Sequence, residues 1–594
     1  MLRPSTSSHP LCRGFEPAYP PRDRVSPWIS SNISRTFLLA TLALIFALPA
    51  WPLTPVAAKH GMVVTAEPHA SDVGVEIMKA GGNAVDAAVA VGFALAVTYP
   101  YAGNIGGGGF MLIRMAHGEA VMIDYREEAP AAASHNMYLD AHGEMIPKAS
   151  TIGPLAIGVP GTVAGLALAE QKYGKLGLAR VLEPAIRLAD EGFVVDYELS
   201  QSLLHYQERF SKFAETTRIF LRSGHPYEAG EIFHQPELAQ TLRQIAQSGP
   251  DVFYRGPVAK AIVATMEREH GLITAKDLEN YQAKIREPLR GHYHGYEIVT
   301  VPPPSSGGVA LIEMLNILGS LDLGPANSFQ SVHLMTEAMR RAYADRAAYL
   351  GDSDFVSVPV AGLTNPNYAE KIAAEISHGK ADAPVQAGTP AAYESSETTH
   401  YSVIDAEGNA VSNTYTLNGG YGSLVTVEGA GFLLNNEMDD FASKPGSPNM
   451  FGLIQGEANA IAPQKRPLSS MTPTIVLEET PTHQKEVRLI LGSPGGGTII
   501  NTVLEVLLNV VQFKMDVLQA VTAPRFHHQW MPDRLALERV GFSADTLQKL
   551  REAGYSLTFV DNLGDCEAIA VSPDEGGWRF GAADPRSEGK AAGY

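Results

Sequence analysis

Residues 375–397 (EISHGKADAPVQAGTPAAYESSE) are polar, small and proline-bearing, and they divide the chain into two stretches of different texture. Before this linker, residues 160–350 are mostly helical by periodicity, as in Ser331 to Leu350 (SVHLMTEAMRRAYADRAAYL). After it the pattern changes at once. HYSVID, the turn Ala406-Glu407-Gly408-Asn409 and AVSNTYTL predict a hairpin of alternating apolar residues, and TIVLEE with EVRLILG predicts another. A strand-rich final third behind a helix-rich first part implies an α+β fold of layered sheets and helices built jointly by both parts. The 594 residues also exceed one ordinary core, so two or more packed units are expected.

Two further stretches are informative. From Pro68 to Pro100 the pattern predicts two helices broken at Gly81-Gly82, the second starting near Asn83 or Asp86, alanine-rich and buried. The run Gly106 to Gly109 precedes the strand-like FMLIRM. It lacks the GK[ST] ending of a phosphate loop and the setting of a dinucleotide fingerprint, so a tight turn against a neighbouring element is the expectation. An extended segment from Tyr296 to Val301 and a helix after Gly497 (IINTVLEVLLNVVQ) complete the coarse plan.

Composition excludes several functions. A net charge of −19 argues against nucleic acid, whose phosphates need a basic face. Only Cys12 and Cys566 occur, which excludes a disulfide scaffold and a multi-cysteine zinc site. Arg35, the apolar run Phe37 to Leu48 and the small residues Val56-Ala57-Ala58 have the order of a cleavable export signal. The run is shorter than the ~20 residues of a spanning helix. The expectation is a lead of residues 1–58, a mature protein exported to a periplasm and no membrane attachment after signal removal; an uncleaved anchor is the alternative.

Thr398-Thr399-His400-Tyr401-Ser402 follows the linker and opens a strand. Threonine is an ordinary strand former. It becomes a useful nucleophile only when its own α-amine, with an unperturbed pKa of ~7.7–8.0, is free to take the hydroxyl proton. That requires cleavage between Glu397 and Thr398, and an exposed linker permits it.

TTHYSVID, NTYTLN, NNEMDDF, KRPLSSM, GSPGG and APRFHHQW, in this order, resemble the small subunit of the γ-glutamyltransferase family, and the upstream AGGNAVDAAVA, GNIGGGGF and DYREEAP resemble its large subunit. The resemblance implies an N-terminal-nucleophile hydrolase with an αββα sandwich. Its precursor cuts itself into a large subunit, here residues 59–397, and a small subunit, here 398–594, which stay associated. It selects Thr398 as nucleophile and places Thr416 beside it. Arg126, Ser469 and Ser470 match the groups that hold the substrate α-carboxylate; Asn418, Glu437 and Asp440 match those around its α-ammonium. Some bacterial relatives carry glutamine at the position of Glu437. Gly495 and Gly496 match the oxyanion-hole amides. Substrates implied are glutathione and other γ-glutamyl compounds, with water, amino acids or dipeptides as acceptors. No metal or organic cofactor is implied. Outside the resemblance, Arg126 beside Glu127 and Glu128 fits a surface ion pair, Ser469-Ser470 fit a turn, and Glu437 and Asp440 fit solvated loop charges.

His527 and His528 are adjacent, not four apart, and are expected to be structural. Phe441 to Gly452 (FASKPGSPNMFG) resembles the family's pocket lid. Relatives usually have tyrosine where this chain has Phe451, its hydroxyl bonded to the asparagine matching Asn418; phenylalanine loses that latch. Two rivals are a cephalosporin (glutaryl) acylase-like amidase and an unprocessed binding protein.

Overall fold

The computed structural model describes residues 54–382, 385, 398–480, 483–572 and 576–594. The apolar run Phe37 to Leu48, expected to belong to an export signal, and Glu397 lie outside them. One seven-stranded sheet runs edge to edge through Lys590–Gly593, Met62–Thr65, Thr399–Ile404, Ala410–Thr416, Gly108–Arg114, Ala120–Asp124 and Lys284–Arg286. A second runs through Val56–Ala58, Trp578–Ala582, Ala568–Ser572, Lys485–Leu491, Thr474–Glu479, Tyr296–Thr300 and Leu289–Tyr293. Both predicted hairpins are present, with Thr399 opposite Tyr415 and Thr474 opposite Leu491.

The two-residue period of the strands sorts side chains between layers. Met62, Val64, Phe110, Leu112, Ile475 and Ile490 meet between the sheets. Their neighbours Val63, Met111 and Ile113 face the first helical layer, and Val476, Leu489 and Leu491 face the second. The order of layers is therefore helix, sheet, sheet, helix. Both faces of the central strands are covered, which is why Thr399–Ile404 and Ala410–Thr416 are buried throughout.

Helices Pro68–Lys79 and Ala84–Thr98 lie in the first layer. Asn83 caps the second helix: its Oδ1 accepts from the amides of Val85 and Asp86, and Asp86 Oδ2 accepts from Asn83 N–H at 2.7 Å. All residues of this alanine-rich helix are buried, as its composition predicts. The glycine run is a close-approach device. A Cβ on Gly106 would meet the Leu433 carbonyl oxygen at 2.0 Å, and one on Gly107 that of Thr416 at 2.0 Å.

Each sheet mixes strands from both sides of residue 398. Thr399–Ile404 pairs with Met62–Thr65, Ala410–Thr416 with Gly108–Arg114, and Tyr296–Thr300 with Thr474–Glu479. A cut before Thr398 leaves all these ladders and the shared core intact. Val56–Ala58, assigned to the lead by its small residues, is an edge strand paired with Trp578–Ala582. A signal cut after Ala58 would remove it, whereas the compact unit begins at Thr54.

Candidate active site

The hairpin ladder begins with Thr399 opposite Tyr415, so Thr398 lies one residue before it and Thr416 one residue after Tyr415. Both threonines are buried, Thr398 at 7% exposure, and both line one small cavity. Asn418 follows in the left-handed region, φ 77°, and its N–H donates to Thr416 Oγ1 at 2.8 Å. That turn directs Asn418 into the same cavity.

Arg126 enters from the other side of the linker, two residues after strand Ala120–Asp124. Its backbone is held by Asp124 Oδ1 at 3.0 Å and by the Tyr281 hydroxyl at 2.9 Å. Nε donates to the Pro467 carbonyl at 3.1 Å, Nη1 to Glu437 Oε1 and Nη2 to Asp440 Oδ2. Arg126 is fully buried, which removes the surface ion-pair reading. Burial disfavours its charge, but Glu437, Asp440 and Glu127 more than offset this and raise its pKa. Burial pushes Glu437 well above the usual carboxylate range, against the pull of Arg126. Glu127, also fully buried and 3.7 Å from Arg126 Nη1, is pushed up to about 7 by burial, again opposed by Arg126. The site thus sets one fixed cation against clustered carboxyls, and burial opposes the ionisation of Glu127 and Glu437.

Ser469 and Ser470 line the same cavity. Ser469 is anchored through its backbone, its carbonyl accepting from Ser306 N–H at 2.8 Å and Ser306 Oγ at 2.6 Å. Ser470 Oγ accepts from Arg346 Nη2 at 3.1 Å. The glycine loop closes the cavity. Gly495 and Gly496 have φ of 128° and 52°, values that exclude most side chains. Gly496 lines the cavity and opens the turn leading into helix Ile499–Val511, so its amide lies at the positive end of a helix dipole. Gly495 lies just outside the lining residues. Tyr343 donates its hydroxyl to the Gly497 carbonyl. Buried His400 packs beneath Gly492, where a Cβ would lie 2.3 Å from its ring. Burial holds the His400 pKa down to about 3, and its ring nitrogens meet Thr414 Oγ1 at 2.8 Å and Ser402 Oγ at 3.1 Å.

The segment Phe441 to Gly452 also reaches the cavity. Phe451 lines the cavity, and its carbonyl accepts from Gln529 Nε2 at 3.2 Å. Asn449 Nδ2 donates to Asp440 Oδ1 at 3.1 Å, and Met450 N–H to Asp439 Oδ2 at 2.9 Å. The Asn418 amide donates to the Asn436 carbonyl at 3.0 Å and meets the Met450 sulfur at 3.7 Å.

A family model described as gamma-glutamyltranspeptidase matches residues 70–594. The chain belongs to the γ-glutamyltranspeptidase family. A glutathione hydrolase proenzyme of Escherichia coli is 48% identical over 549 residues, 91% of this chain and 93% of that one. Among solved structures, a cephalosporin acylase from Bacillus halodurans superposes with a TM-score of 0.81 at 28% identity, covering 92% of this chain and 99% of that chain. A Helicobacter pylori gamma-glutamyltranspeptidase gives a TM-score of 0.54 at 46% identity, covering 55% of this chain and 94% of that chain.

The described nominated residues of this chain converge on one cavity apart from Gly495. Four participants escaped the sequence reading: Glu127, Tyr343, Arg346 and Met450. Glu127 stood inside DYREEAP and was weighed only as a surface partner of Arg126. Tyr343 and Arg346 lie in a helical pattern whose period conveys burial but not that Tyr343 bonds Gly497, beside the cavity-lining Gly496, or that Arg346 bonds the cavity-lining Ser470. His527 and His528 are buried; His527 Nε2 meets Gln529 Oε1 at 2.9 Å, and His528 Nε2 meets Asp533 Oδ1 at 3.1 Å. Among the described residues no helix is long and apolar enough to cross a membrane.

Proposed function

We propose that the protein is an exported γ-glutamyltransferase and glutathione hydrolase that matures by cutting its own chain before Thr398. The observation that carries this reading is the cavity itself. It opposes a nucleophile-bearing strand end to a glycine loop and sets a buried guanidinium against two carboxylates, Glu437 and Asp440. A γ-glutamyl group ends in a zwitterion, so both signs of charge are needed at one place.

In the intact chain the nitrogen of Thr398 is an amide and has no basicity to lend. Attack of Thr398 Oγ on the preceding carbonyl, followed by hydrolysis of the resulting ester, frees the α-amine. That amine then accepts the hydroxyl proton as Oγ attacks the substrate γ-carbonyl, and returns it to the leaving amine. Amides at Gly495 and Gly496 stabilise the oxyanion, aided by the helix dipole. The γ-glutamyl ester on Thr398 passes to water or to an amino acid or dipeptide. Substrate binding exchanges ion pairs: the α-carboxylate takes the Arg126 guanidinium, with Ser469 and Ser470 adding donors, and the α-ammonium takes the released Glu437 and Asp440, with Asn418.

A glutaryl side chain, the substrate class of the acylase reading, has no ammonium to meet those carboxylates and would leave them unpaired. The test is a γ-glutamyl anilide assay run with and without a dipeptide acceptor, beside a glutaryl anilide. Release from γ-glutamyl anilide, raised by acceptor, is the expected result. Faster release from the glutaryl compound would replace this reading with the acylase.

A further inference from the structure

Four arginines are among the largest fully buried side chains: Arg126, Arg346, Arg466 and Arg525. Three are neutralised by carboxylates. Arg126 pairs with Glu437 and Asp440, Arg466 with Asp124 and Glu128, and Arg525 with Asp584. Arg346 differs. Its Nε donates to Ser306 Oγ at 2.9 Å and its Nη2 to Ser470 Oγ at 3.1 Å, while buried Nη1 has no hydrogen-bond partner. Among the described residues no carboxylate forms an ion pair with it. A buried cation whose hydrogen bonds go only to neutral hydroxyls, with Asp440 acting on it through space and not in contact, is costly to the folded protein, and such a cost persists where a ligand supplies the missing charge.

The hydroxyls that Arg346 holds mark where that charge would be. Ser470 lines the cavity. Accepting from Arg346 occupies a lone pair of Ser470 Oγ and leaves its hydrogen to donate elsewhere. Ser306 Oγ, also held by Arg346, donates to the Ser469 carbonyl at 2.6 Å, so both serines are tied to one guanidinium. A hydroxyl that accepts from a cation is polarised and becomes a stronger donor. Arg126, in contrast, already has two carboxylate partners.

We propose that Arg346 is a positioning residue which, through Ser470, makes the site selective for acyl groups bearing an α-carboxylate. The inference rests on the γ-glutamyl reading and deepens it. Arg346 orients the Ser470 hydroxyl and supplies a second positive charge behind it. Arg126 holds the same carboxylate directly.

The experiment compares γ-glutamyl p-nitroanilide with 4-aminobutanoyl p-nitroanilide, which keeps the ammonium and the acyl chain but lacks the carboxylate. In Arg346→Gln the preference for the γ-glutamyl compound, as a ratio of kcat/KM values, should fall about ten-fold, the range of one charge-assisted hydrogen bond. The loss should lie mainly in KM. Arg346→Lys, which keeps the charge without the two-pronged geometry, should fall between, and it carries the test if the glutamine variant fails to accumulate. Ser470→Ala combined with Arg346→Gln should lose little more than either alone. Equal loss on both substrates, leaving the ratio unchanged in both variants, would show a merely structural arginine and overturn the proposal. A wild-type enzyme without preference between the two anilides would overturn the γ-glutamyl reading and this inference together.

Discussion

The Phe451 ring lies so close to Gly496 that a methyl group on that glycine would sit 2.4 Å from Phe451 Cδ1. Lid and glycine loop are therefore one packed unit. Gly496→Ala would both strain a backbone at φ 52° and displace the ring. The expected result is a fall in kcat of roughly 10²-fold, the usual cost of a lost oxyanion donor. Steady-state rates on a γ-glutamyl anilide check this, and a kcat within a few-fold of wild type would remove the loop from the oxyanion hole.

Thr398→Ala should remain one full-length chain on a denaturing gel and release no product. Wild-type protein should give two bands that co-elute under native conditions, because both sheets mix strands from the two sides of the cut. N-terminal sequencing of the smaller band should begin at Thr398; any other start would assign the nucleophile elsewhere.

Arg126→Ala should still process itself, since that side chain addresses the zwitterion rather than the scissile peptide. Catalytic efficiency on γ-glutamyl amides should drop by about 2–5 kcal/mol in transition-state terms, typical of breaking a buried charge pair. Near-normal kcat/KM in fully processed Arg126→Ala would place the residue outside the site.

The lid gives a prediction about product partition. Without a tyrosine hydroxyl at position 451, the lid meets Asn418 through the Met450 sulfur, a weak acceptor at 3.7 Å. A neutral hydrogen bond contributes about 0.5–1.5 kcal/mol, so Phe451→Tyr should strengthen closure and raise the fraction of γ-glutamyl dipeptide over glutamate. Met450→Leu keeps the bulk, loses the acceptor and should lower that fraction. Products counted at fixed acceptor concentration decide, and identical ratios in all three proteins would end the latch argument.

Buried Glu127 makes stability depend on pH. Its folded pKa, pushed up to about 7 by burial against the pull of Arg126, exceeds the unfolded value of 4.5. The folded state therefore holds this proton more tightly, and stability falls as pH rises from about 4.5 through 7. The loss is at most on the order of 3 kcal/mol for such a shift. Glu127→Gln cannot ionise, so its melting temperature relative to wild type should rise between pH 5 and pH 8. A constant difference across that range would mean that Glu127 ionises as easily folded as unfolded.

Much of this architecture was legible in local pattern, because local pattern is what strand and helix periods encode. The alternation in HYSVID and AVSNTYTL, the helix start near Asn83 and the glycine run at 106–109 each act over a few residues, and each formed as expected. The choice of Thr398 over Thr399 came from resemblance, since both threonines suit the strand. What the sequence by itself determined was which residue types are present for zwitterion chemistry and where the chain changes texture. Which buried charges meet was decided only by the tertiary structure. Arg126 and Glu437 are 311 residues apart, and Arg346 reaches Ser470 across 124. Burial, desolvation and unpaired cations are properties of a packed interior, formed when two sheets close on each other, and no short window of sequence carries them.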